Sequence, residues 1–259
     1  MITSLQCDFE RGVAYKSPSQ IARVVTEHWC ARNLYCAACN EEQLQEMAAN
    51  TRAFDFRCRN CSETYQVKSQ RQLNFKKVAD GAYSVMVSAL KQNVAPNILV
   101  LNYSSEWTVK NLVLFPSVVF TEDVLEKRRP LTQAARRAGW VGCNIVLSRV
   151  PNEAQISLVS DTAIIPANEV REQYRKYSAL ASVPWELRGW TLDVLNVLRR
   201  INAREFDLTQ VYAHEIELTE AHPENRNVKA KIRQQMQILR DLGLVKFLGN
   251  GRYRAAFGL

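Results

Sequence analysis

The sequence predicts a mixed α/β domain with a four-cysteine zinc site, followed by a small winged-helix domain. Three observations carry that expectation. Cys36-x2-Cys39 and Cys58-x2-Cys61 form two paired-cysteine turns eighteen residues apart. Strand-like apolar runs alternate with helix-like stripes over the first two thirds of the chain. The remainder holds three helical stripes and then a basic hairpin. A boundary near Ser182-Val-Pro-Trp185 divides residues 1–181 from 182–259.

Bulk properties narrow the function classes. A length of 259 residues suits one large domain or two of unequal size, and an apolar fraction of 47% supports a packed core. No run of eighteen apolar residues exists, so a membrane span is not expected. Met1 to Arg11 mixes Asp8, Glu10 and Arg11 with short apolar stretches, unlike a secretory signal, and the cytoplasm is the expected compartment. The net charge is +8, and its distribution says more than its size. Between Arg226 and Arg254 stand Arg226, Lys229, Lys231, Arg233, Arg240, Lys246, Arg252 and Arg254 against Asp241 alone. A second cluster comprises Lys127, Arg128, Arg129, Arg136 and Arg137. Such local excesses on folded segments fit a polyanion, and nucleic acid is the expected partner.

The elements follow in chain order. Ser17 to Trp29 reads as a helix with Ser17 or Ser19 as N-cap and Ile21, Val24, Val25 and His28 on one side. Glu27 on that helix is read as a surface acid, with a supporting place beside a site as the alternative. Cys36, Cys39, Cys58 and Cys61 supply the four sulfurs of a closed, structural zinc site; two disulfides or four unrelated thiols are the competing accounts. Cys7, Cys30 and Cys143 lack ligand spacing and are read as core thiols. In Thr51 to Lys68, Phe54 and Phe56, then Tyr65 and Val67, alternate with polar residues, which predicts two strands around a tight turn. Gly81 to Leu90 reads as a helix, and Asn97 to Tyr103 and Leu112 to Phe115 as buried strands. Arg128 to Asn144, with four arginines, Gly139, Trp140 and Gly142, suits a loop that faces DNA.

In the last domain Trp190, Val194, Val197, Leu198 and Ile201 give the first helical stripe. Leu208, Val211, Tyr212 and Ile216 give the second, with Asp207 as N-cap. Val228, Ile232, Gln235, Leu239 and Leu242 give the third, which stops at Gly243. Val245 to Leu248, the turn Gly249-Asn250-Gly251 and Arg252-Tyr-Arg254 complete a winged-helix pattern. Lys229, Arg233, Gln237 and Arg240 share a polar stripe of the third helix, with Gln234 nearby, and are candidate DNA contacts alongside Arg252 and Arg254. A plain solvated face is the competing account.

A hairpin centred between Asn60 and Cys61 sets Asp55 across from Gln66, and Gln66 and Lys68 share a face. The three then converge. A carboxylate and an amide oxygen suit Mg²⁺, and a lysine can act on an attacking water, which together suit phosphodiester hydrolysis. The pattern is loose, and on the residues alone three unrelated polar side chains on a solvated face are the favoured account.

The string YCxxC, then FDFxCxxCSE and a short strand ending in x-Lys-Ser, resembles the catalytic hairpin of the DpnI-like restriction endonucleases. Asp80-Gly-Ala-Tyr83, Ala134 to Ile145, Arg188-Gly-Trp-Thr191, Lys231 to Asp241 and Gly251-Arg-Tyr-Arg254 extend the resemblance over nearly the whole chain. The resemblance implies a PD-(D/E)XK nuclease domain with a zinc site, a C-terminal winged helix, and cleavage of double-stranded DNA at GATC sites carrying N6-methyladenine. By position it makes Asp55 the first Mg²⁺-binding carboxylate and Lys68 the catalytic lysine. Gln66 stands where the family has a glutamate; its amide oxygen remains a ligand, but one formal charge is gone. Phe54 replaces a proline common in the wider class. Trp140, by its place in the shared segment with Arg136 and Arg137, packs against the N6-methyl group or else serves the core. The expected protein is a monomeric type II, methylation-dependent endonuclease with catalytic Mg²⁺ and structural Zn²⁺. The alternative is a non-catalytic sensor of modified DNA, or a DNA-binding regulator, with a silent nuclease fold.

Overall fold

The computed structural model describes residues 1–48, 54–150 and 152–256, with the backbone alone at 122 and 153. Thr51 to Ala53, at the head of the expected hairpin segment, lie outside the described residues. The chain divides into two compact units, Met1–Ala181 and Ser182–Leu259.

The first unit begins with helix α1 (Pro18–Asn33), strands β1 (Gln45–Glu46), β2 (Phe56–Arg57), β3 (Thr64–Gln70) and β4 (Val78–Ala82), and helix α2 (Tyr83–Lys91). Strands β5 (Asn97–Tyr103), β6 (Val109–Phe115), β7 (Leu125–Lys127), β8 (Gly142–Ile145), β9 (Ile156–Ser160) and β10 (Ala163–Ile164) follow, then helix α3 (Ala167–Ser178). Seven strands make the main sheet in the order β1-β2-β3-β5-β6-β9-β10, and β4-β8-β7 make a second, antiparallel one. Within the main sheet β3 and β5 run parallel, from Tyr65 beside Asn97 to Gln70 beside Asn102. A parallel pair needs a crossover, and the chain uses it to build β4 and α2.

Burial explains the sheet. Every residue of β5 is buried, including Asn97 and Asn102 on either side of the apolar run Ile98–Leu101. One core cluster joins Val25, Trp29 and Cys30 of α1 with Tyr65, Leu99 and Leu101 of the sheet and Val170 and Tyr174 of α3. Proline at its first position and Ser17 as the N-cap residue start α1, which runs four residues past Trp29 because Cys30 and Asn33 are also buried. Asn33 then ties the N-terminal strand-like segment to the helix, its Oδ1 accepting from the Thr3 amide at 3.0 Å. Cys7, Cys30 and Cys143 are all buried.

One expected helix starts later than its pattern suggests. Gly81 and Ala82 belong to β4, and α2 opens at Tyr83. Pairing with β8, Asp80 to Cys143 and Ala82 to Gly142, overrides the local helical preference.

The second unit comprises helix α4 (Trp185–Ile201), strand β11 (Glu205–Asp207), helices α5 (Leu208–Tyr212), α6 (Glu215–Ala221) and α7 (Val228–Asp241), and strands β12 (Val245–Gly249) and β13 (Arg252–Ala255). Its sheet order is β11-β13-β12. Helix, strand, helices, and a returning two-stranded wing is winged-helix topology. Asp207 caps α5 reciprocally with Gln210. The second apolar stripe, expected to run on to Ile216, breaks at Ala213 and His214. Because α6 restarts out of phase, Leu218 turns inward and Ile216 is left 75% exposed. Strand β11 was not expected either; its three residues pair only with β13, far away in sequence. Gly249, Asn250 and Gly251 all take positive φ in the turn of the wing, which explains two glycines around an asparagine there. No helix among the described residues is long and apolar enough to cross a membrane.

Candidate functional site

Hairpin β2–β3 carries two sites, one at each end. At its turn, Cys58 and Cys61 meet Cys36 and Cys39 from the loop after α1, and the four Sγ atoms all lie within 4.8 Å of one another. Cys36 stands 3.5 Å from Cys61, and Cys39 is 3.5 Å from Cys58, with all four thiols free. A tetrahedral ion with bonds of about 2.3 Å sets sulfur–sulfur edges near ~3.8 Å. The donor set and its spacing therefore fit a structural zinc. Local geometry holds the cluster in shape. The Tyr65 hydroxyl lies 3.2 Å from Cys36 Sγ and accepts from the Ala37 amide at 3.1 Å. Arg171 of α3 donates to the carbonyls of Cys36 (3.1 Å) and Glu41 (3.3 Å), with its guanidinium over the Tyr35 ring.

At the other end lies an open cleft of about 490 Å³, whose lining includes Arg23, Glu27, Asp55, Gln66, Lys68 and Lys77. Phe56 pairs with Tyr65 and Arg57 with Thr64, and the Asp55 amide donates to the Tyr65 carbonyl at 2.9 Å. Continuing that register sets Asp55 across from Gln66. Asp55 Oδ2 accepts from the Val67 amide at 2.8 Å, which fixes the carboxylate at the strand edge. Lys68 Nζ donates to Asp80 Oδ1 at 2.8 Å, a pair whose side chains are only 20% and 8% exposed. Arg23 Nε donates to Glu27 Oε1 at 2.8 Å across one turn of α1.

Both carboxylates of this cleft are desolvated. Burial raises the Asp55 carboxyl above its ordinary value; the Val67 amide, Lys68 and Arg23 oppose the rise, and Asp80 adds to it. Burial likewise raises Glu27, against its pairing with Arg23, with Asp55 adding to the rise. Gln66 Oε1 is buried and has no hydrogen-bond partner among the described residues. An orphaned amide oxygen beside a desolvated carboxylate is an acceptor pair that a hard divalent cation would satisfy. Asp55 and Gln66 therefore fit Mg²⁺.

The sequence reading missed Asp80 as the partner of Lys68. Nothing local marks it, since the contact joins β3 of one sheet to β4 of the other. Glu27, read as a surface acid, lines the cleft instead, and the signal available was its place two residues after Val25 on a helix packed against β3.

The remaining candidates are surface residues. Arg136 and Arg137 are exposed on the loop between β7 and β8, and Arg137 lies over the half-buried Trp140 ring at 5.0 Å. Trp140 is half-buried, and its ring covers Gly142, where an added Cβ would come within 2.7 Å of it. On α7, Lys229, Arg233, Gln234, Gln237 and Arg240 are all exposed, while Gln235 turns inward and accepts from Thr191 Oγ1 at 2.7 Å. Arg233 donates to the Tyr212 hydroxyl at 3.0 Å, Lys229 pairs with Glu215 at 3.2 Å, and Arg240 with Asp241 at 2.9 Å. In the wing, Arg252 and Arg254 both pair with Glu205, at 2.9 and 2.6 Å.

Fold and site define a mixed α/β protein with a four-cysteine cluster and a carboxylate–amide–lysine cleft at the two ends of one hairpin, and with a helix-turn-helix unit at its C-terminal end. The model of the Dam-replacing family, DpnI, matches residues 3–183, and that of the Dam-replacing HTH domain matches residues 186–255. The chain belongs to the Dam-replacing family.

Proposed function

We propose that this protein is a methylation-dependent type II restriction endonuclease, hydrolysing double-stranded DNA at GATC sites that carry N6-methyladenine. One observation carries the catalytic half: in a chain of the Dam-replacing family, Asp55, Gln66 and Lys68 line a single cleft. The flanking α1, Asp55 just before β2 and Lys68 on the neighbouring β3 support a PD-(D/E)XK assignment for residues 1–181. The winged-helix unit, 182–259, supports a duplex partner, and we take the protein to bind it as a monomer.

Asp55 and Gln66 would hold the magnesium ion, which when bound polarises a phosphoryl oxygen and lowers the pKa of a water. Lys68 presents its ammonium to the same cleft, where it orients the attacking water and offsets charge growing on the phosphate. Val67 fixes the Asp55 carboxylate through its amide, so the ligand is set before substrate arrives. Cys36, Cys39, Cys58 and Cys61 would hold zinc, which clamps the turn of the hairpin and leaves no open position for chemistry. Arg136, Arg137 and Trp140 form a surface suited to a methylated base and its phosphates. Lys229, Arg233, Gln234, Gln237, Arg240, Arg252 and Arg254 suit major-groove edges and backbone.

Digestion of methylated and unmethylated GATC plasmid with Mg²⁺ tests the reading. Cutting of methylated DNA alone is expected, and equal cutting of both plasmids would overturn the methyl requirement. The uncharged Gln66 favours a second reading, a modified-DNA sensor with a silent nuclease fold, which predicts tight methyl-selective binding without cleavage.

A further inference from the structure

We propose that Asp80 is the positioning residue that holds Lys68 in the cleft. The inference rests on the reading of Lys68 as the group that acts on the attacking water. Lysine carries four rotatable bonds and loses substantial side-chain entropy when held in one place. A strand alone does not supply that restraint, because β3 fixes only the backbone of Lys68. The restraint comes from the other sheet. Asp80 Oδ1 accepts a hydrogen bond from Lys68 Nζ at 2.8 Å, and both side chains are largely withdrawn from water. In such surroundings a charge-assisted hydrogen bond is short and directional.

Asp80 is itself held from behind. It pairs with Cys143 in β8, the register slips between Asp80 and Ala82, and the Cys143 thiol meets the Gly81 carbonyl at 3.5 Å. The bulge at Gly81 changes the direction of β4 immediately after the carboxylate. Ala79 pairs with Asn144 before the carboxylate and the Tyr83 amide donates to the Val141 carbonyl at 3.1 Å after it, so both flanks of Asp80 are tied to the strand that leaves the Trp140 loop. Asp80 uses one N–H of the ammonium and leaves the other two for water and phosphate. Its carboxylate does not touch the reacting atoms.

Three variants test this. Asp80→Asn and Asp80→Ser remove the charge, and Asp80→Glu restores it on a longer arm; a cooperative melting transition establishes which are folded. Cleavage of GATC-methylated plasmid with Mg²⁺ is expected to lose tenfold to a hundredfold in kcat in the charge-free variants, with KM within twofold. Asp80→Glu is expected to recover most of that rate, which a loss of packing would not allow. In parallel, acetylation of Lys68 by a small amine-reactive ester, located by peptide mass spectrometry, is expected to rise severalfold in D80N or D80S. Unchanged cleavage overturns the proposal, and so does unchanged acetylation. If the unmodified protein cuts nothing, the endonuclease reading fails separately, and the acetylation of Lys68 alone decides whether Asp80 holds it.

Discussion

Gln66 sets the charge of the cleft at the scale of a single residue. With Asp55 as the carboxylate in the strand pair and Gln66 neutral, the cation site has one formal charge fewer than an acid at position 66 would give. A charge a few ångströms from a divalent ion, partly exposed to water, still changes its affinity by more than a kilocalorie. Gln66→Glu is therefore expected to lower the half-saturating Mg²⁺ concentration for cleavage by on the order of tenfold. An unchanged or higher Mg²⁺ requirement in a metal titration would remove residue 66 from the ligand set. Lys68→Ala addresses the other half of the site. Cleavage is expected to disappear while the Kd for methylated duplex stays within twofold, because the lysine acts on water and not on bases. The same change strands the Asp80 carboxylate, so a stability loss of about 1–3 kcal/mol should accompany it in denaturant titration. Residual cleavage in K68A would move the active site elsewhere.

The hairpin is where element-scale reasoning from sequence reached furthest. Alternation of Phe56 and Tyr65 against polar neighbours is a two-residue period, and it specifies the pairing of Phe56 with Tyr65 that the sheet contains. The cysteine spacing brought four thiols together for an equally local reason: a two-residue gap turns two side chains to one side. What sequence did not disclose depends on partners distant in the chain. Strand β11 exists only because β13 returns to it, α2 yields its first residues to β8, and Asp80 finds Lys68 across two sheets. Helix α6 restarts out of phase with α5, a break that an apolar stripe read through Ile216 conceals. Trp140, read either as packing against a methylated base or as serving the core, is half-buried with its ring over the bare Cα of Gly142. Since four cysteines converge at the turn of the hairpin, Cys58→Ser is expected to lower soluble yield and thermal stability and to abolish stoichiometric zinc in elemental analysis. A metal-free C58S protein as stable as the parent would show that the cluster has no structural ion.

At the scale of the whole molecule, the +8 net charge matters through where the basic residues stand. Arg252 and Arg254 on the wing share Glu205 in the free protein, with all three side chains solvent-accessible. Exposed pairs of this kind contribute little, so exchanging Glu205 for a phosphate costs little and releases counterions from the duplex. Each phosphate contact steepens the fall of log K with log salt by about 0.9. The Arg252→Ala, Arg254→Ala double variant is therefore expected to flatten that slope by roughly 1.8. Because phosphates carry no methyl group, affinity should fall by the same factor for methylated and unmethylated GATC duplexes, leaving their ratio intact. Fluorescence anisotropy across a salt series measures both quantities. A loss confined to methylated DNA would make the wing a base reader, and an unchanged slope would take both arginines off the DNA backbone.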